Sequence, residues 1–450
     1  MKKIVSIILC LACCDIVVAQ TYSLEQILDS ARHNNIAIRN ARHGIEAAQE
    51  QRKEAFTKYF PNVSGTGLWF NANKGMAKTS LNPSELIPSS LASTMAAVLP
   101  VEALAALANP ISISMMKNGT IGSLMAMQPV FAGGQIVNGN RLAKVGEDVR
   151  RLQLQLSENE VEKTAEQYYW QIVTLQEKMK TVAAVEAMLT DIHKDVDVAV
   201  RAGVALRNDL LQVELRQNEV ESQKMKLRNG IGTVKLLLAQ YCGLCDTTFA
   251  IKAHLSVPNG DAVPLEAIAA PAGDEWGTTA EYQLLSKQVE ATKLQKNIAI
   301  GQNLPSVAVG AGYNYHNLLD NDHSFGMIFA TVNVPISDWW GGSHAVKRKK
   351  IAYQQAQDQL ADNAQLLQIR VQNAWNNVEE ARQQLVIARR GIEQAEENLR
   401  IHRDYYRAGT CKMSDLLEAQ LLYQQSCDKH TDAYADYQGK LLDYRQSIGQ

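Results

Sequence analysis

The stretch RAGVALRNDLLQVE at residues 201–214 recurs in the second half of the chain as RAGTCKMSDLLEAQ at residues 407–420. Each copy joins Arg-Ala-Gly to Asp-Leu-Leu through a short spacer. Gly203 and Gly409 suit the positive φ at which a helix commonly ends, because glycine has no Cβ to clash there. Each copy therefore predicts a tight reversal between two helices.

Asp209 and Asp415 follow these glycines, and aspartate is favoured where a helix begins. Gln212 and Glu418 stand at the spacing of a capping box from the two aspartates. The sequence thus predicts that each aspartate begins a returning helix and caps it. This structural role accounts for most of the motif.

The prolines divide the chain into helical and non-helical tracts. Of its 11 prolines, none falls within residues 130–257 or 336–450. Because proline removes a backbone donor and clashes inside a helix, both tracts are free to be helical throughout. At 1.5 Å per residue, a helix from about residue 134 to residue 200 is roughly 100 Å long. No compact domain holds a helix of that length.

Apolar residues in both tracts recur in steps of four and three, which is the pattern of a coiled coil. In the second tract the run is Leu360, Ala364, Leu367, Val371, Ala374, Val378, Ala381, Leu385, Ala388, Ile392, Ala395 and Leu399. In the first tract it is Val161, Ala165, Tyr168, Ile172, Leu175, Met179, Val182 and Val185. Both tracts are therefore predicted to be long helices that pack along their length.

Segments with a two-residue period lie beside the isolated prolines. Residues 306–316, SVAVGAGYNYH, alternate apolar and small or polar side chains, which is typical of a strand with one apolar face. A second strand runs to Pro335, and an equivalent pair lies between Pro61 and Pro129. Each half of the chain therefore contributes one hairpin. The four prolines are predicted at the strand–helix junctions: Pro61, Pro129, Pro305 and Pro335.

The two halves align as an internal duplication of helix, strand, strand, long helix, reversal and returning helix. The predicted plan is a signal peptide at residues 1–19, a first repeat at 20–240 and a second repeat at 281–450. An irregular equatorial linker at 241–280 separates the repeats. Within them we expect reversals at 201–209 and 407–415. A long insert at 75–119 joins the first two strands, and it is expected at the extracellular mouth, because barrel hairpins have their long loops on the outside.

The first residues have two lysines, an apolar run and Val-Ala before a polar residue, which is typical of a secretory signal peptide cleaved after Ala19. Acylation at Cys13 or Cys14 is the alternative, although the residues before them fit a lipobox poorly. No later segment has about eighteen uninterrupted apolar residues, so no membrane-spanning helix is predicted. The net charge of −2, without a basic stripe, argues against nucleic acid as a partner.

With its duplicated plan and two reversals, the sequence resembles the TolC-like outer-membrane efflux protein family. The resemblance implies an α+β membrane protein that is a homotrimer. Each chain gives four strands to a shared 12-stranded β-barrel that continues into a coiled-coil periplasmic tunnel. It implies localisation in the outer membrane of a Gram-negative bacterium. The expected partners are outer-membrane lipid, a periplasmic adaptor, and an inner-membrane pump of RND, ABC or MFS type, in tripartite efflux or type I secretion.

The resemblance also assigns roles to the reversals, which would be the periplasmic tips. Adaptor contact is expected at Arg201, Ala202, Gly203, Asp209, Leu210, Leu211, Arg407, Ala408, Gly409, Asp415, Leu416 and Leu417. Asp415 and Glu418 would form the acidic ring at the pore constriction. Asp209 and Tyr406 match the family's closed-state latch, but Cys411 replaces the expected basic residue. Arg407 or Lys412 is then the expected partner.

Other functional classes fit the sequence less well. A periplasmic adaptor would show one helical hairpin between lipoyl-like halves, and a simple porin would lack the long heptads. No catalytic or cofactor motif is present, so we predict no catalytic residue, metal site or cofactor. Cys242 and Cys245 have redox or zinc spacing, but no second ligand pair accompanies them. We interpret them as two thiols at a helix end, with a local disulfide as the second choice.

Overall fold

The computed structural model describes residues 21–82, 91, 111–244, 249–252, 270, 271, 273, 275–318 and 322–449. The predicted signal peptide, Cys245 and nearly all of the insert between residues 83 and 110 lie outside these ranges. The cleavage site, lipidation of the N-terminus and the role of the long insert stay predictions.

The described chain consists of long helices and short strands. In chain order the elements are β1 (Thr21–Tyr22), α1 (Leu24–Asn34), α2 (Ile36–Thr57), β2 (Asn62–Asn71), β3 (Ala77–Leu81), β4 (Ile111–Met115), β5 (Asn118–Ala132), α3 (Gln135–Arg201), α4 (Arg207–Cys242), β6 (Ala250–Ile251), α5 (Ala280–Gln302), β7 (Ser306–Asn317), β8 (Asp322–Asn333), α6 (Asp338–Arg407) and α7 (Met413–Ser447). Each half thus runs helix, strands, long helix, reversal and returning helix, in agreement with the predicted duplication. None of these helices is apolar enough over a sufficient length to cross a membrane.

The chain divides into two compact units. The helical unit comprises the residues up to Gln49, Val145–Glu290 and the residues from Gln354 onward. The strand unit comprises Glu50–Lys144 and Ala291–Tyr353.

In the strand unit, β2, β5, β7 and β8 form one antiparallel sheet in that order. The four strands are the four that the sequence predicts. A second hairpin, β3 with β4, continues beyond them within the insert and was not predicted. Among the strands that the structure describes, β2 and β8 each have a neighbour on one side only, so both outer edges of the four-stranded sheet are open.

Three of the four prolines stand at strand–helix junctions as predicted. Pro61 directly precedes β2, Pro305 directly precedes β7, and Pro335 lies between β8 and α6. The prediction for Pro129 is wrong, since β5 continues through it to Ala132. Proline is tolerated there because β2 pairs only as far as Met127, and because the register with β7 shifts between Pro129 and Phe131.

The junction after β5 is made by two glycines with positive φ, Gly133 at 57° and Gly134 at 76°. A Cβ on Gly133 would stand 2.2 Å from the carbonyl oxygen of Gly301, near the end of α5. Only glycine allows the two backbones to approach this closely. Gly133 therefore has a packing role at this junction.

In the helical unit, the predicted coiled-coil repeats are the packed faces of the long helices. Every position of the α6 run is buried or half-buried. Its Val371, Val378 and Ala381 pack against Tyr437 and Tyr444 of α7. The α3 run packs in the same way, as Val182, Val185 and Leu189 meet Val220 of α4.

The largest apolar core of the helical unit gathers α1, α3 and α4 around the parallel pair β1 and β6. A capping box begins α1: Ser23 Oγ accepts a 3.4 Å bond from the N–H of Gln26, and Gln26 Oε1 accepts a 3.0 Å bond from the N–H of Ser23. Cys242 is fully buried in this core at the end of α4, and among the described cysteines it is a free thiol. Burial raises its pKa to about 12, which keeps it neutral and unreactive.

Candidate functional site: the helix reversals and the open sheet

The two reversals have the same backbone geometry. Gly203 and Gly409 have φ of 74° and 71°. The N–H of Gly203 bonds Val200 O at 3.0 Å, and the next N–H reaches back five residues to Ala199 O at 2.9 Å. Gly409 and Thr410 repeat both bonds at 3.0 Å. Both helices therefore end in a Schellman motif, and the prediction of a glycine reversal is confirmed.

The aspartates lie one turn further into the returning helices than predicted. Leu206 is the N-cap of α4 and Lys412 that of α7, so Asp209 and Asp415 are the third residues of their helices. Asp209 Oδ2 accepts a 3.3 Å bond from the N–H of Leu206. It therefore supplies the reciprocal half of a capping box and not the cap.

Asp415 makes a different set of contacts from Asp209. Its carboxylate accepts a 3.0 Å bond from Ser414 Oγ, and the Cys411 thiol lies 3.8 Å away. The predicted boxes with Gln212 and Glu418 are wrong. Only three residues follow each glycine before the returning helix begins, so the helix starts ahead of the aspartate.

The reversals of both repeats meet in one apolar cluster. Leu416 and Met413 at the start of α7 are almost fully buried, together with Val213 of α4. Leu210 and Leu417 pack against the cluster, whereas Leu211 is 47% exposed. The two Asp-Leu-Leu copies are therefore not equivalent in packing. The second copy is held more deeply than the first.

A cleft of about 560 Å³ lies between the two reversals. It brings together three of the four predicted latch residues, Asp209, Tyr406 and Arg407. Burial, and next the negative charge of Asp209, raise the pKa of Tyr406. Lys412 is exposed and does not line the cleft. The other charged residues that line it are Asp191, Asp195 and Arg403.

The outer tip residues are exposed: Arg201, Ala202, Gly203, Arg407, Ala408 and Gly409. Arg201 makes a 2.8 Å ion pair with Asp197 one helical turn earlier. Asp415 is half-buried and Glu418 is exposed. Their spacing of three residues sets them on neighbouring positions of α7.

A buried polar network joins the returning helices of the two repeats, and the sequence did not predict it. Arg216 of α4 is 8% exposed. Its Nε donates to Gln420 Oε1 at 3.0 Å, and its Nη2 donates to Gln424 Oε1 at 2.9 Å. Its Nη1 pairs with the exposed Glu219 at 2.9 Å. The sequence did contain one indication: Arg216 is a charged residue that stands three positions after Val213, where the helical period predicts an apolar residue.

One face of the four-stranded sheet is apolar and exposed. The register sets Val63, Ala126, Ala311 and Ile328 in one row across the four strands. Large side chains of this face that are more than half exposed are Val63, Trp69, Leu124, Tyr313, Ile328 and Val332. The opposite face is mixed: Thr66, Ser123 and Asn314 form a polar row that ends at Phe325. Leu68 on the same face is 56% exposed.

Comparison with known proteins identifies related sequences and folds. Residues 283–450 match the model of the outer membrane efflux protein family. No curated protein sequence matches the chain. The chain is similar in fold to the outer membrane protein VceC of Vibrio cholerae, with 14% identity, a TM-score of 0.72 and coverage of 95% of this chain and 96% of that chain. The outer membrane channel CmeC of Campylobacter jejuni has 14% identity, a TM-score of 0.73 and coverage of 95% and 85%. The outer membrane channel MtrE of Neisseria gonorrhoeae, in its open state, has 15% identity, a TM-score of 0.65 and coverage of 95% and 88%. The resemblance predicted from the sequence is confirmed.

Proposed function

Because residues 283–450 match the model of the outer membrane efflux protein family and the chain has the fold of outer-membrane channels, we propose that it is the outer-membrane channel of an export system. The protein lies in the outer membrane of a Gram-negative bacterium and extends into the periplasm. It is a passive exit duct, and the system that it serves is a tripartite efflux or type I secretion system.

The open sheet with its exposed apolar face is the observation that carries this proposal. Ile328 is 90% exposed and Trp69 is 72% exposed, although both belong to regular paired strands. A water-soluble sheet rarely leaves such a face uncovered, whereas a sheet in contact with lipid requires one. On the opposite face, the polar row of Thr66, Ser123 and Asn314 suits contact with a water-filled lumen.

The open edges support a homotrimer. An unpaired strand edge cannot face lipid, because its N–H and C=O groups find no partner there. The edges β2 and β8 must therefore pair with other chains. Three chains of four strands make a closed 12-stranded barrel, which is large enough to leave a channel.

The cleft between the reversals is the proposed contact for a periplasmic adaptor, which links the channel to an inner-membrane pump of RND, ABC or MFS type. The cleft offers charged groups of both signs above the apolar cluster of Met413 and Leu416. Asp209, Tyr406 and Arg407 make up the closed-state latch in this proposal. Burial and the negative charge of Asp209 raise the pKa of Tyr406, whereas Lys412 has no ion pair with a described residue.

The acidic ring at the constriction is proposed for Asp415 and Glu418. The exposed Glu418 and half-buried Asp415 would contribute about six carboxylates in a trimer. Crowded like charges draw in cations and repel anions. The ring would make the narrow end of the duct cation-selective.

Membrane fractionation with mass measurement tests the proposal. The full-length protein should sediment with the outer membrane, resist extraction by salt and alkali, and enter solution in detergent at three times the mass of one chain. A soluble periplasmic monomer would refute the proposal. An outer-membrane protein of monomer mass would refute the shared barrel.

A further inference from the structure

Two histidines face each other across the last rows of β7 and β8. His316 is paired directly with His323 in the register, and their ring centroids are 5.4 Å apart. They are seven residues apart in the chain, and the turn of the hairpin brings them together. Tyr315 and Ser324, the paired neighbours of the two histidines, lie on the apolar face. Because successive side chains of a strand point to opposite faces, His316 and His323 lie on the other face.

The spacing of the rings fits one shared metal ion. With a metal–nitrogen bond of about 2.0–2.1 Å, an imidazole centroid lies about 3.2 Å from the ion, and two imidazoles at a tetrahedral angle have centroids about 5.2 Å apart. The separation of 5.4 Å between His316 and His323 is close to this value. Only side-chain rotation is needed to direct one nitrogen of each ring at a common point.

No other contact competes for the two rings. His316 Nδ1 is buried and has no hydrogen-bond partner, and an unsatisfied buried nitrogen costs free energy. Among the described residues, neither histidine makes a hydrogen bond or an ion pair. Phe325 is the other ring beside them, with centroids 6.5 Å from His316 and 5.9 Å from His323. A metal would therefore displace no existing polar bond.

We propose that His316 and His323 bind a divalent transition-metal ion of the copper, nickel or zinc type. Neutral imidazole suits these ions, and copper(II) binds most tightly to a given nitrogen site. No set of three or more clustered histidine, cysteine or carboxylate ligands occurs in the described part of the chain, so water completes the coordination. The ion would tie β7 to β8 at the end of the hairpin.

Copper(II) titration of the full-length protein, purified in detergent without a polyhistidine tag, tests the site. Electron paramagnetic resonance should show a copper signal split by two nitrogens. His316→Ala and His323→Ala should each weaken binding at least tenfold and remove this splitting. His344→Ala, at an exposed solitary histidine on α6, should leave both unchanged. Zinc titration by calorimetry should rank the variants in the same order.

Binding that is absent, or equally strong in all variants, would overturn the proposal. If His316→Ala alters the assembly, His316→Asn gives a second variant that keeps a polar side chain at the position. The oligomeric mass of each variant reports that directly. Binding is measured on the purified protein, so the result is independent of channel activity.

Discussion

The guanidinium of Arg216 donates to the side-chain oxygen of Gln420 at 3.0 Å and so ties the returning helix of the first repeat to that of the second. The bond is buried, and a second one from the same arginine reaches Gln424 at 2.9 Å. Arg216 follows Val213 by three residues and Gln420 follows Ala419 directly, so both bonds lie next to the apolar cluster of the reversals. The two repeats are therefore joined by a specific polar contact as well as by apolar packing.

Replacing this arginine should loosen both helices. Arg216→Ala leaves two glutamine oxygens buried without donors, at a cost of about 3 kcal/mol. Amides of α4 and α7 near the network should then exchange with deuterium about a hundredfold faster. Glu219→Gln is the control, because that exposed partner contributes less than about 1 kcal/mol. Equal exchange in the two variants would show that the buried bonds do not hold the helices together.

The glycines of the reversals should not tolerate a side chain. A Cβ at Gly203 or Gly409 meets no neighbouring atom, so the positive φ alone opposes alanine, at about 1–2 kcal/mol. Gly203→Ala and Gly409→Ala should each increase local opening about five- to thirtyfold in hydrogen exchange. Gly232→Ala, in open space inside α4, should instead stabilise its helix by about 0.5–1 kcal/mol. The same sign of effect at all three positions would contradict this account.

A charge on the apolar face of the sheet should impair membrane assembly. Ile328→Lys exposes an ammonium to lipid at a cost of about 2–4 kcal/mol near the bilayer midplane. Thr331→Lys is the matched control, three residues further along β8 on the opposite face. The yield of detergent-extracted trimer should fall for Ile328→Lys and stay near wild type for Thr331→Lys. If the effects are reversed, the lipid-facing and lumen-facing sides have been exchanged.

Substitutions at the two aspartates of the reversals distinguish a role of the charge from a role in helix stabilisation. Asparagine retains a hydrogen-bond acceptor but has no charge, so Asp209→Asn and Asp415→Asn should both leave the reversals folded. Only Asp415→Asn should lower cation selectivity and block by multivalent cations, and Asp415→Ala with Glu418→Ala should lower them further. Reversal potentials under a salt gradient measure the selectivity. Unchanged selectivity in every variant would leave the motif as a turn and nothing more.

Local patterns in the sequence were sufficient to predict the helices, the four strands and the glycine reversals. Backbone constraints at Gly203, Gly409 and Pro305 act within a few residues, so they can be recognised without knowing the fold. The heptad run from Leu360 to Leu399 likewise predicts which side of α6 is buried. These features depend on spacing along the chain alone.

The features that the sequence did not predict depend on register between distant segments. The pairing of Arg216 with Gln420 requires α4 and α7 to be aligned, and the pairing of His316 with His323 requires the length of the hairpin turn. Pro129 was misassigned because its tolerance depends on where β2 ends. For His316 and His323, the available signal was their equal distance from the centre of the sequence Asn-Leu-Leu-Asp-Asn-Asp that separates them.

Single-channel recording in a planar lipid bilayer tests the central claim most directly. The purified full-length trimer should insert with a preferred orientation and pass discrete steps of current that favour cations. Ile328→Lys should insert rarely, whereas Thr331→Lys should insert as often as wild type. A protein that inserts stably and passes no current under any applied potential, even after the Asp209, Tyr406 and Arg407 cleft is disrupted by substitution, would contradict its role as a channel.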